Sequence, residues 1–407
     1  MATQGERGDE PRKRGPRRRI SRRWCLPPAI THEPGEVLEG SYILEEFGSD
    51  LALVLWTAVR DVILWSSTPA ERRAVLFSRG AEADRRAGMH AAGVDPALGL
   101  SLATLATVVS HPAQANPEII SLVCMDVSRW AREQGRMGTA VAFAQAAAFA
   151  QPNAPIPALA VGRLTVEWGR YRRAETWLRR AIGLARRAGD WESYGSAYVL
   201  LGEVYVNTGR AALAPRYFQQ AARLSRRQGH RGVRAAALHG LLRTSLAAGE
   251  LDAAEGYARL AQRAYGRAHP RLPELQHDVA QLLVARGHHA RAVPMLRRQL
   301  GLFTDPARRA LCHALLAHAA AALGDPATYE PSWAEAWALL DAPEAAPVAS
   351  DVLRHLGRAA ERKEDWLRVQ LVLERFGTWG AESKVREIDA DFAELQMLVT
   401  DRRLGAL

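Results

Sequence analysis

Cysteine is scarce in this chain of 407 residues: Cys25, Cys124 and Cys312 lie far apart, with no C-x-x-C pair. That spacing excludes a disulfide framework and a cysteine-based zinc site, and it points to a reducing cytosol. Long apolar runs are missing too. The most apolar stretch, Leu51 to Trp65, has 15 residues and includes Arg60 and Asp61, short of the roughly 20 that a membrane-spanning helix needs. No P-loop, dinucleotide glycine fingerprint, zinc-protease helix or nucleophile elbow occurs. A protein that performs no chemistry and needs no cofactor is the expectation.

What is present is apolar and basic. At 48% hydrophobic and 24% charged residues the chain can bury a large core, and length alone would give two or three globular domains. Net charge is +10, and residues 1–23 carry +6 of it. Nearly every positive charge is arginine. Pro16, Pro27, Pro28 and Pro34 prevent a long helix, so residues 1–35 read as a disordered basic tail. A solvated arm accounts for that tail. So does contact of Arg17, Arg18, Arg19, Arg22 and Arg23 with nucleic acid or an acidic surface, because clustered arginine displaces counterions from phosphate without reading sequence. Ser21-Arg22-Arg23 has the look of an export signal, but Pro27, Pro28 and a largely polar run to Glu39 stand where an apolar segment belongs, which argues against export.

Residues 36–115 are helical in pattern without a clean repeat. Thr68-Pro69-Ala70-Glu71 predicts a helix start, and Leu51, Leu55, Val59, Val62 and Ile63 mark an apolar face. A divergent cap or degenerate repeats fit this region. A helix-turn-helix between Glu82 and Val109, turning at Ala92-Gly93-Val94, is its functional alternative.

Repeats begin near Pro117. Gly135, Gly169, Gly209, Gly249, Gly287, Gly324 and Glu364 recur at spacings of 34, 40, 40, 38, 37 and 40, each marking a turn between paired helices. Small residues follow five positions later, at Ala140, Ala174, Ala214, Ala254 and Ala292. Nine positions after the marker stand Ala144, Leu178, Phe218, Ala258, Leu296, Trp333 and Leu373. All of these read as core. The spacing predicts that the residues beyond a 34-residue period lie in the connection after each second helix, as in Arg226 to Arg231. After Gly377 and Gly380 a closing helix is predicted to start near Glu382, with Val385, Ile388, Phe392 and Leu395 on one face.

The clearest unit reads Leu201-Gly202-x-x-Tyr205-x-x-x-Gly209, then Ala214, Phe218 and Ala221. It resembles the tetratricopeptide repeat, with Tyr198 where that family has Trp. The resemblance implies an all-α fold: a right-handed α-solenoid of about seven helix pairs over 116–380, an N-terminal helical region over 36–115 and a C-terminal capping helix over 381–407. It also implies that the first helix of each pair lines a concave, partner-binding surface.

Six residues before each marker stand Arg129, Arg163, Glu203, Arg243, Gln281, His318 and Arg358. Four of these seven are arginine, where 54 Lys and Arg in 407 would place about one. Ten before the marker, Val199, His239 and His277 fall in a second, adjacent stripe. An acidic protein or peptide partner fits such a groove, and a merely solvated helix face fits it equally. The lysine and asparagine constellation of carboxylate-clamp members is absent. His239 and His277 lack supporting donors in register, so no metal site is expected. Three functions remain open: a scaffold or adaptor in the cytoplasm, a nucleic-acid-associated regulator with the repeats as sensor, and a subunit of a larger assembly whose oligomeric state the sequence leaves unknown.

Overall fold

A computed structural model describes residues 41–77, 80–383 and 390–405. The described residues are helical and contain no strand. In chain order the helices are α1 (Tyr42–Glu46), α2 (Ser49–Ser67), α3 (Arg73–Leu76), α4 (Ala81–Ala91), α5 (Pro96–Ser110), α6 (Pro117–Glu133), α7 (Met137–Ala150), α8 (Pro155–Glu167), α9 (Tyr171–Ala188) and α10 (Trp191–Asn207). They continue with α11 (Ala214–Gln228), α12 (Arg231–Ala247), α13 (Leu251–Tyr265), α14 (Leu272–Ala285), α15 (His289–Leu300), α16 (Pro306–Leu323), α17 (Pro326–Leu339), α18 (Ala349–Arg362), α19 (Trp366–Ser383) and α20 (Ala390–Gly405). Two compact units divide the chain within α11, one ending at Leu224 and the other beginning at Ser225.

From α6 to α19 the helices form seven pairs, and each sequence marker is the turn inside a pair. The six glycines have φ between +69° and +75°, where a side chain is disfavoured. Glu364 takes the same left-handed turn at φ 57°, the one non-glycine among the described residues with positive φ. Several helix starts are equally local in origin. Proline takes the first position of α5, α6, α16 and α17, and Asp95, Asn116, Asp305 and Asp325 accept a backbone N–H just inside each of them, so the fixed ring and the cap agree on where the helix begins.

In the first unit, α2 turns Ala52, Leu55, Val59, Val62 and Trp65 inward. Ile63, placed on that face by the sequence pattern, is 41% exposed. Leu98, Leu102 and Leu105 of α5 join Ile120 and Phe143 in the same core. The short α1 is tied to the first pair. Glu46 accepts from the N–H groups of Gly138 and Thr139 at 2.7 and 2.8 Å, capping α7, and the Tyr42 ring packs edge-on against Trp168 at 4.8 Å. Between α10 and α11 the helices cross at Gly202, where an added Cβ would stand 2.6 Å from the Phe218 ring.

In the second unit, Ala280, Leu296, Leu315 and Leu316 form one part of the core, and Tyr329, Leu353, Leu356, Val372 and Phe392 another. Phe392 of α20 stacks on Phe376 of α19 with centroids 3.6 Å apart. Leu395 reaches Gly357, where a Cβ would come within 2.7 Å of its Cδ1.

Four sequence expectations change. Thr68 does not start a helix: it ends α2, its hydroxyl donating back to the Leu64 carbonyl at 2.7 Å, and only a 3-10 turn and the four-residue α3 follow. The helix-turn-helix connectivity at Gly93 exists, but α5 faces the core with Leu98, Leu102, Leu105, Ala106 and Val109 and carries no basic residue, so it has nothing with which to read a nucleic acid. The extra residues of the 40-residue repeats lie in the helices and not in the connection, because α9 to α12 run 18, 17, 15 and 17 residues with only short turns at Gly189 and Gly229 between repeats. Lastly, α19 runs through Gly377 and Gly380 to Ser383, past the predicted start near Glu382. Val385 and Ile388 lie outside the described residues.

Candidate functional site

The solvated side of the first helices carries the column six residues before each turn. Arg129, Arg163 and Arg243 are exposed, and Glu203, Gln281, His318 and Arg358 are partly so. Their electrostatic surroundings differ. Arg129 pairs with Asp126 one turn back. Arg358 is held by Glu361 and by Glu394 of α20. Arg163 and Arg243 have no hydrogen-bond or ion-pair partner among the described residues.

That freedom is unusual for an arginine of this chain. Arg132 bonds Glu167, Arg286 bonds Asp252, Arg308 bonds Glu274 and Arg368 bonds Glu330, each partner lying about one repeat away in sequence. These arginines tie one helix pair to the next. In the first unit Glu175 gathers Arg179, Arg210 and the Tyr205 hydroxyl. Burial opposes its charge, but the two guanidiniums and the phenol more than offset that and hold its carboxyl below the usual range.

The column ten residues before the turn is a different environment from the open stripe expected of it. Val199, His239 and His277 are 5%, 4% and 7% exposed, because this position faces the neighbouring first helix. His239 of α12 donates from Nε2 to Asp278 Oδ2 of α14 at 2.8 Å, and His277 donates from Nδ1 to Asp278 Oδ1 at 3.2 Å. The Tyr265 hydroxyl stands 3.4 Å from His239 Nδ1. Burial would lower the pKa of His277, but the Asp278 carboxylate and the Cys312 sulfur outweigh it and push the value up to about 10. Burial likewise opposes ionisation of Asp278, and the two imidazoles hold it well below the usual carboxylate range. His277 Nε2 is buried without a partner.

One repeat further on, His318 of α16 and His355 of α18 meet at 3.2 Å between their Nδ1 atoms. Burial, with the positive groups around them, lowers their pKa values to about 2 and about 3. Charged and neutral histidines thus alternate along the first helices of the second unit. Among the described residues no three of His, Cys, Asp and Glu are arranged to hold a metal ion. Asp278, Cys312 and His355 were missed in the sequence. Asp278 and His355 both stand nine residues before their markers, a column that would have shown acidic and imidazole partners beside His239, His277 and His318.

Cys124 and Cys312 are free and buried, and burial pushes the Cys124 thiol up to about 12, which makes it unreactive. No helix among the described residues is long and apolar enough to cross a membrane. Arg17, Arg18, Arg19, Arg22 and Arg23 lie outside the described residues.

The family model for the tetratricopeptide repeat matches residues 195–228, the stretch in which Gly202, Phe218 and the Gly209 turn form the tightest helix pair. This is a tetratricopeptide-repeat protein. No curated protein matches it. The tetratricopeptide chain is similar to the solved structure of RapI in its apo form, with 8% identity, a TM-score of 0.53, and coverage of 65% of this chain and 98% of that one. It is also similar to a Rap protein solved in complex with competence and sporulation factor, at 11% identity and TM-score 0.51, covering 84% and 98%. BtubC from P. vanneervenii matches at 20% identity and TM-score 0.39, covering 56% and 92%.

Proposed function

We propose that this tetratricopeptide-repeat protein is a non-catalytic scaffold or adaptor that binds a protein or peptide partner bearing acidic groups on the solvated side of its first helices. The observation that carries this reading is the state of Arg163 and Arg243. Both occupy the same repeat position, both are exposed, and neither has a partner among the described residues, while so many other arginines of the chain are spent on joining repeats. A guanidinium left free at a recurring position is suited to a carboxylate of another molecule. Arg129, Glu203, Gln281, His318 and Arg358 extend the same column. Val199, His239 and His277 belong to the packing beneath it. The Rap complex with competence and sporulation factor, a protein of the same fold, is consistent with this reading.

The test is affinity purification of the full chain from its native host, with quantitative mass spectrometry of what is recovered. The variants Arg163→Glu and Arg243→Glu should each deplete the same protein or peptide several-fold, and depletion should grow as salt rises in the wild type. Recovery of an identical set by both variants would remove the arginine face from the function.

A further inference from the structure

A cavity of about 360 Å³ opens in the first unit between α2, α4 and α5, apart from the arginine column. Val54, Ala58, Met89, Leu102, Leu105 and Ala106 give it an apolar wall, and its size suits a small organic molecule. Gly88 lines it from the middle of α4. A Cβ added there would meet only Val54 Cγ2, at 3.9 Å, so neither packing nor backbone geometry requires glycine, which is a poor helix former at such a position. The consequence of glycine there is open space.

The charged lining is unequal. Asp61 is buried and already satisfied: Arg85 donates to its Oδ2 at 2.8 Å, and Arg60 donates to its Oδ1 at 2.8 Å from over the Trp56 ring. Arg85 is thereby neutralised. Asp50 and Asp84 also line the cavity, both are exposed, and neither has an ion-pair or hydrogen-bond partner for its carboxylate among the described residues. Each lies in the first turn of its helix, which stabilises a carboxylate but leaves its outward charge free. An apolar hollow with two unpaired carboxylates in its lining and its guanidinium already paired is complementary to one kind of ligand.

We propose that this cavity binds a small amphiphilic cation, with the apolar body between α2, α4 and α5 and the ammonium group at Asp50 and Asp84. Three probes of equal size separate the contributions in isothermal titration of the full chain at low salt: 4-phenylbutylammonium, 4-phenylbutanol and 4-phenylbutyrate. The ammonium should bind about three- to tenfold more tightly than the alcohol, as two solvent-exposed ion pairs allow, and the carboxylate most weakly. The double variant Asp50→Asn, Asp84→Asn changes two exposed side chains. It should erase the preference for ammonium while leaving affinity for the alcohol unchanged. Gly88→Leu should weaken all three probes about tenfold or more by filling the hollow. Equal binding of the three probes, no saturation of any at millimolar concentration, or a preference for ammonium that survives the double variant would overturn the proposal.

Discussion

The Nδ1 atoms of His318 and His355 lie 3.2 Å apart, joining α16 to α18 through two imidazoles. At that distance one ring donates a proton and the other accepts it, so the contact requires at least one neutral ring. His318 faces His289, Arg358 and Arg362 besides His355, and His355 faces Arg354 and His277. Burial and this positive company lower both pKa values, to about 2 and about 3, from an ordinary 6.5.

A pH prediction follows from the sign of these shifts. Below pH 6.5 the unfolded chain takes up protons at His318 and His355 that the folded chain refuses, so acid favours unfolding through this pair. His277 acts oppositely. Its value is raised to about 10, so the stability it contributes is present below 6.5 and is lost as pH rises toward 10. Each proton is worth at most about 1.4 kcal/mol per pH unit. Denaturant unfolding of wild type and His355→Gln as a function of pH should show the variant losing stability less steeply between about pH 6.5 and 4.5. Acid limbs of equal slope would refute the assignment.

Asp278 holds two histidines from one carboxylate. Asp278→Asn keeps the shape and removes the charge, leaving the His277 imidazolium buried without a counterion. A loss of about 3–5 kcal/mol is expected, together with a fall in the His277 pKa readable by NMR titration of the ring. A variant as stable as wild type, with His277 still protonated at neutral pH, would contradict the geometry.

Glu364 is the exception in a column of turn glycines. An L side chain in the left-handed region costs about 1–2 kcal/mol, and nothing near φ 57° spares Glu364 that cost. Glu364→Gly should therefore stabilise the chain by roughly 1 kcal/mol, less whatever the freer unfolded glycine gives back. Gly209→Ala, at φ +70° with open space around it, should destabilise by a similar amount. The two midpoint shifts in guanidinium are the measurement, and shifts of the same sign would contradict the account.

Gly202 presents the opposite case. Its backbone is ordinary helix, and what forbids a side chain is the Phe218 ring at 2.6 Å. Gly202→Ala should cost about 1–3 kcal/mol through overpacking, and Phe218→Leu should recover part of that loss in the double variant. Non-additivity of this sort marks direct contact. Strict additivity would place the cause elsewhere.

These contrasts show what the sequence could and could not reveal. The turn column was legible because a left-handed residue at fixed spacing leaves glycine after glycine. Gly202 and Phe218 were legible because small and large residues must alternate where helices cross. Helix length was not, since the marker fixes the turn inside a pair but not where the second helix stops. Gly189 and Gly229, both at positive φ, carried that information. The burial of His239 and His277 was hidden for a related reason. Periodicity assigns residues to a common face, and only packing decides whether that face meets water or the next helix. The free state of Arg163 and Arg243 depends on neighbours about a repeat away, which periodicity does not pair.

The attachment of α1 rests on one carboxylate. Glu46 accepts from two N–H groups at the start of α7, at 2.7 and 2.8 Å, where the helix dipole also favours negative charge. Tyr42 crosses Gly138 so closely that a Cβ there would stand 2.4 Å from the tyrosine Cβ. Five residues make too short a helix to persist alone, so α1 is ordered by what it touches. Glu46→Ala should cost about 1 kcal/mol globally and should raise hydrogen exchange across Tyr42–Phe47 while leaving α8 and α9 protected. Gly138→Leu should release α1 through a different contact and give the same exchange pattern. If both variants keep Tyr42–Phe47 as protected as wild type, the helix must be held by something other than the α7 terminus.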